Sequence, residues 1–130
     1  MSRRDLAYKA LKWSLAIVFI WFGLLKLFGV SPVADLVFAA TPFLRGLPYG
    51  FTLLAFFEVA VGVGVLVRRT ASVSAALIIV HLVIASVAVL VHPMAWDHRF
   101  PLLSVEGEFV VKNAVLVTAA WLIAATERRS

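Results

Sequence analysis

The sequence predicts an all-α integral membrane four-helix bundle with both termini cytoplasmic, and three observations carry that prediction. The first is composition: of 130 residues, 63% are hydrophobic and 15% charged, with a mean hydropathy of +1.02. Soluble domains run at about 45–50% apolar and about 25% charged, so this chain lacks the polar surface needed to cover its apolar side chains in water. The second is the presence of four apolar windows, each close to the roughly 20 residues that a helix needs to cross a bilayer. The third is that basic residues punctuate these windows instead of forming a stripe, which makes the net charge of +5 a topology signal. Nucleic acid is not an expected partner, because phosphate contact needs a water-facing basic surface. The absence of cysteine excludes disulfides, a thiol nucleophile and a thiolate metal site.

The four windows run from Leu11 to Gly29, Tyr49 to Val67, Ala71 to Val91, and Gly107 to Ala125, forming one domain over residues 1–130. Lys and Arg near span ends set orientation. Eight of them, Arg3, Arg4, Lys9, Lys12, Arg68, Arg69, Arg128 and Arg129, fall on one side, against Arg45 and Arg99 on the other. Both termini and the Arg68–Arg69 turn are therefore expected in the cytoplasm. Span one is expected to remain as an uncleaved anchor, because the Val37-Phe38-Ala39 site lies far from its apolar run and Lys26 intervenes. In the first outer loop, Ser31 suits an N-cap and Pro32 a first helical turn. Val33, Leu36, Val37 and Ala40 then recur at helical spacing up to Thr41-Pro42. This pattern predicts a short interfacial helix, with an irregular apolar loop as the alternative. The second outer loop, His92 to Arg99, carries two histidines and an aspartate, but in no recognised metal-ligand spacing, so no metal is expected. Trp96 and Tyr49 read as interface anchors.

The informative residues are the ionisable ones inside the spans. A Lys or Asp at mid-span costs about 2.5–3.5 kcal/mol on insertion scales, so it requires a partner or a wet cavity. Lys26 lies near the outer end of span one, Glu58 midway through span two, and His81 near the middle of span three. Glu108 and Lys112 lie in the first turns of span four. Lys26 is a natural partner for Glu58, and Glu108 and Lys112 stand four apart in the favourable order. In a compact bundle both lysines can approach Glu58. The alternatives are that Lys26 snorkels to the headgroups, and that Glu108 and Lys112 form only a helix-end pair. His81 reads either as a hydrogen-bonded interior histidine or as a proton-relay residue or ligand to a quinone carbonyl. With no second intramembrane histidine, bis-histidine haem ligation within the chain is excluded.

Three segments together resemble the DoxX-like family of small four-helix bacterial inner-membrane proteins, close to its branch linked to reactive-chlorine resistance. They are Gly23-Leu24-Leu25-Lys26 closing span one, Glu58-Val59-Ala60-Val61-Gly62 in span two, and Gly107-Glu108-Phe109-Val110-Val111-Lys112-Asn113 opening span four. The resemblance covers nearly the whole chain. It implies functional or packing roles for Gly23, Lys26, Glu58, Gly62, Gly107 and Lys112. It also implies a bacterial inner-membrane location and a small subunit of a quinone-linked or oxidative-stress complex. Since the chain has no cysteine, thiol chemistry would have to come from a partner.

Two main functions follow as expectations. In one, Lys26, Glu58, Glu108, Lys112 and His81 hold a quinone-type or anionic ligand, walled by Phe19, Phe22, Phe56 and Phe57. In the other, the charges only lock the helices of a non-enzymatic structural or assembly subunit. Gly23, Gly62 and Gly107 then serve helix packing, and Ala71 with Ala75 and Ser72 with Ala76 permit close docking to another subunit or a second copy. A small transporter component is a third, lesser expectation.

Overall fold

The computed structural model describes residues 2–29 and 49–127. The expected interfacial helix, the Val37–Ala39 segment, Arg45 and the terminal Arg128 and Arg129 lie outside the described residues. Helices account for most of the described chain: α1 (Arg3–Leu27), α2 (Gly50–Leu66), α3 (Ala71–Leu90), α4 (Val105–Val111) and α5 (Asn113–Glu127). A 3₁₀ turn spans Pro93–Ala95. Helix α1, α3 and the combined stretch Val105–Glu127 are each long and apolar enough to cross a membrane; α2, at 17 residues, is apolar but shorter.

Each boundary has a local cause. A capping box starts α1: the Asp5 amide donates to the Ser2 hydroxyl and the Ser2 amide to the Asp5 carboxylate. Helix α1 ends where Gly29 takes a left-handed φ of +72° and its amide donates to the Lys26 carbonyl. Tyr49, also left-handed, begins α2 one residue inside the expected span. Thr70 closes the Arg68–Arg69 turn by donating its hydroxyl to the Gly64 carbonyl at 2.8 Å.

Span four begins two residues before its expected start and runs from Val105 to Glu127 as one membrane-length apolar stretch. It is interrupted only at Lys112, where the Val115 amide reaches back three residues to the Lys112 carbonyl. The preceding loop sets this arrangement. The Ser104 hydroxyl caps α4 by accepting from the Gly107 amide and donates to the Met94 carbonyl, while the Ser104 amide donates to Ala95. Trp96, expected as an interface anchor, is half-buried and donates its indole N–H to the Leu90 carbonyl at the end of α3. Gly107 packs directly on the Ala95 carbonyl oxygen, so a side chain there would overlap the backbone.

Helix α1 packs mainly on α2, and α3 mainly on α5; α2 with α3, and α1 with α5, complete the side-by-side arrangement. The core runs through Leu15, Phe19, Val61, Val65, Ala75, Ile78, Leu82, Ala120 and Ile123. Gly23 and Gly62 let α1 and α2 approach closely. A Cβ on Gly23 would stand 2.6 Å from Val59 and 2.8 Å from the Ala55 carbonyl oxygen. One on Gly62 would stand 2.7 Å from Ile20 and 3.0 Å from the Ala16 carbonyl oxygen. Ala71 and Ala75 are fully buried inside the chain, which corrects the expectation that they dock a partner. The outer perimeter is apolar: Trp13, Trp21, Leu53, Val80 and Trp121 are all exposed, a surface suited to lipid.

Because the neighbours at Gly62 include backbone, Gly62→Ala is expected to lower stability by about 1–3 kcal/mol through overpacking. Thermal unfolding in detergent checks this; an unchanged melting temperature would mean that α1 and α2 are not held at this distance.

Candidate functional site

The interior charges converge on Glu58. Its position midway along α2 faces α1, and the Lys26 ammonium donates to both carboxylate oxygens, at 2.8 Å and 3.0 Å. Lys26 and Glu58 are 7% and 5% exposed, so the pair is closed to solvent and lipid alike. The third member comes from α3: His81 Nε2 stands 3.5 Å from Glu58 Oε1, with its side chain 19% exposed. Two phenylalanines fix the imidazole plane. Phe57 is tilted against it with ring centroids 5.4 Å apart, and Phe19 meets it edge-on at 6.2 Å. Three helices thus contribute one charged or polar group each to a single cluster.

The local reasons are register and length. Phe19, Gly23 and Lys26 recur three to four residues apart and lie on the buried face of α1. Gly62 and Glu58 stand one turn apart on the buried face of α2. The close α1–α2 approach permitted by the glycines therefore brings the flexible Lys26 stem within reach of Glu58. An unpaired ammonium or carboxylate at this burial would be strongly destabilising, and mutual pairing offsets part of that penalty.

Several expected members do not join the cluster. Glu108 and Lys112 are exposed, and among the described residues no ion pair links Lys112 to Glu58 or to Glu108. The seat of Gly107 on Ala95 explains this: it fixes the rotation of α4 so that Gly107 and Val110 face inward. Lys112, two residues beyond Val110, then lies about 200° further round and faces outward. Of the four phenylalanines expected to wall a pocket, Phe19 and Phe57 meet His81. Phe22 instead stacks on Phe109 at 6.4 Å, and Phe56 is exposed on the far side of α2. In the second outer loop, His92 Nδ1 accepts from the Met94 amide and His98 is exposed beside Asp97.

A second polar cluster was not anticipated from the sequence. At the opposite end of α1, Lys12 pairs with Glu127 at 2.7 Å, and the Tyr8 hydroxyl donates to the same carboxylate at 2.9 Å. The Lys12 ammonium also lies 5.7 Å from the Tyr8 ring centroid. This fastens the start of α1 to the end of α5. The available signal was a Tyr–Lys pair four apart and a lone carboxylate in the last helical turn, at ends expected on one side of the membrane. Further along, the Asn113 amide donates to Ser86 and the Ser72 hydroxyl to the Ala124 carbonyl, tying α3 to α5.

Comparison with protein-family models, curated proteins and solved structures found no match to this chain.

Glu58→Gln removes the counter-charge and leaves Lys26 buried without it. The expected loss is about 3–5 kcal/mol of stability, the range for breaking one side of a buried pair. In the detergent-solubilised monomer, Lys112→Met, which alters a residue exposed on the single chain, is expected to change stability by less than about 0.5 kcal/mol. Chemical or thermal unfolding of the two variants in one detergent tests the contrast, and equal effects would contradict the assignment of Glu58's partner.

Proposed function

We propose that this chain is a non-enzymatic, DoxX-like assembly subunit of a membrane redox or oxidative-stress system, built as a four-span bundle in a bacterial inner membrane. The observation that carries the reading is the closure of Lys26 on Glu58: both carboxylate oxygens are engaged by one ammonium in a site shielded on all sides. A pair so enclosed sets helix register and depth, and it offers no charged group to an anionic ligand. The apolar perimeter supports insertion in lipid, and the 17 residues of α2 reach the lower limit for crossing a bilayer. The distribution of Lys and Arg along the sequence supports a cytoplasmic side for both termini and the Arg68–Arg69 turn. The likeness to the DoxX-like family rests on Gly23, Lys26, Glu58, Gly62, Gly107 and Lys112 in that order.

His81 supports a second reading. It is the most exposed member of the central cluster, with aromatic rings on two sides and Glu58 behind Nε2. A quinone-type headgroup would fit beside the imidazole, whose Nδ1 accepts a hydrogen bond from the quinol hydroxyl when its Nε2–H is turned toward Glu58.

The absence of cysteine makes orientation directly measurable. A cysteine replacing Thr70 is expected to react with an impermeant maleimide only after the cytoplasmic face is opened, and one replacing Asp97 in intact cells. The opposite pattern would invert the topology.

The two readings separate in the double variant Lys26→Met/Glu58→Met. As an assembly subunit it should retain both its co-purifying partner and cell survival under hypochlorous acid, whereas Lys26→Met alone should lose them. Loss of quinol-linked turnover in His81→Ala, with assembly intact, would instead favour the ligand-binding reading. A wild-type chain that purifies from native membranes as a lone monomer without quinone would contradict both.

A further inference from the structure

We infer that the exposed face of α4 and α5 bearing Glu108 and Lys112 docks a second copy of this chain, with Glu108 of each copy against Lys112 of the other. The inference rests on the membrane reading given above. Two internal charge pairs provide a ruler for depth. Lys12, bound to Glu127 at one end of the helices, and Lys26 are fourteen residues apart on α1, or about 21 Å along the axis. From Glu127 back to Lys112 is fifteen residues, or about 22 Å. Lys112 therefore stands at the height of the buried Lys26, inside a hydrocarbon layer about 30 Å thick.

Lys26 at that height has Glu58. Lys112 at the same height faces outward, as does Glu108 one turn above, and among the described residues neither has an ion-pair partner. Charges turned toward lipid at this depth are expensive and are ordinarily found facing protein or water. Internal burial is already closed to them, because Gly107 on the Ala95 carbonyl fixes the rotation of α4. The occupant that satisfies both charges must present a cation and an anion one turn apart at the same depth.

This chain presents that pattern itself. A two-fold axis along the membrane normal sets two such faces side by side in the same orientation. It brings each Glu108 to the other copy's Lys112 over a vertical offset of about 6 Å, within reach of a lysine stem. Below the charges the face continues through Val115 and Leu122, which are 70% and 51% exposed and supply apolar contact.

Because the native sequence has no cysteine, single replacements report the interface in intact membranes. Val115→Cys is expected to give a disulfide-linked dimer on mild oxidation, and Val80→Cys, on the exposed side of α3, at least five-fold less. Within the Val115→Cys background, Glu108→Lys and Lys112→Glu should each cut cross-linking at least five-fold. Co-expression of the two, distinguished by different tags, should restore it in the mixed dimer alone. Equal cross-linking at Val80, cross-linking unaffected by either charge change, or no recovery in the mixed dimer would overturn the proposal. Carbonate extraction separates this from failure of the membrane reading: a chain retained in the pellet but not cross-linked removes only the interface. A chain released by carbonate removes both.

Discussion

The contact between the Lys26 ammonium and the Glu58 carboxylate is the constraint on which the rest of the arrangement depends. It joins α1 to α2 at a level where neither charge has water to turn to, so it tolerates little change in register. Gly23 and Gly62 lie one turn or less from the two charged residues, and each removes a side chain that would hold the helices apart. The glycines and the ion pair are therefore a single device. Close backbone approach makes the salt bridge reachable, and the salt bridge specifies which residues approach.

A second constraint works at the other end of the helices. The Lys12–Glu127 pair, with Tyr8 on the same carboxylate, ties the beginning of the described chain to its end. Together with Asn113–Ser86 and Ser72–Ala124, it fixes α5 against both α1 and α3. Polar contacts thus join helix pairs on several sides, while the core between them is entirely aliphatic and aromatic. In lipid, where apolar burial gives little advantage to helix association, such contacts and close packing carry more of the specificity.

Much of this was legible in the residues. The four apolar windows are helices within a few residues of their expected ends, and of the arrangements that depth and charge left open for Lys26 the structure shows the pairing with Glu58. Gly23, Gly62 and Gly107 each meet a neighbour too close for a side chain. What failed was rotation about the helix axis. Lys112 and Glu108 have the right depth to approach Glu58, but α4 is turned by its contact with Ala95, a residue of the preceding loop. Depth is a local property of sequence, whereas rotation is set by whatever the helix touches. Phe56 was misplaced for the same reason: it is adjacent to Phe57 and so lies about 100° away from the face that meets His81. Tyr8 and Glu127 went unnoticed because charges at helix ends ordinarily report topology, and their pairing depends on the α1–α5 contact.

The most direct test of the central contact is a dipolar recoupling measurement between lysine side-chain ¹⁵N and glutamate side-chain ¹³C, with the protein in bilayers. Direct Lys26–Glu58 and Lys12–Glu127 contacts are predicted, and the first disappears in Glu58→Gln while the Lys12–Glu127 signal remains. A spectrum of the wild-type protein in which Glu58→Gln removes no short-range coupling would contradict the account.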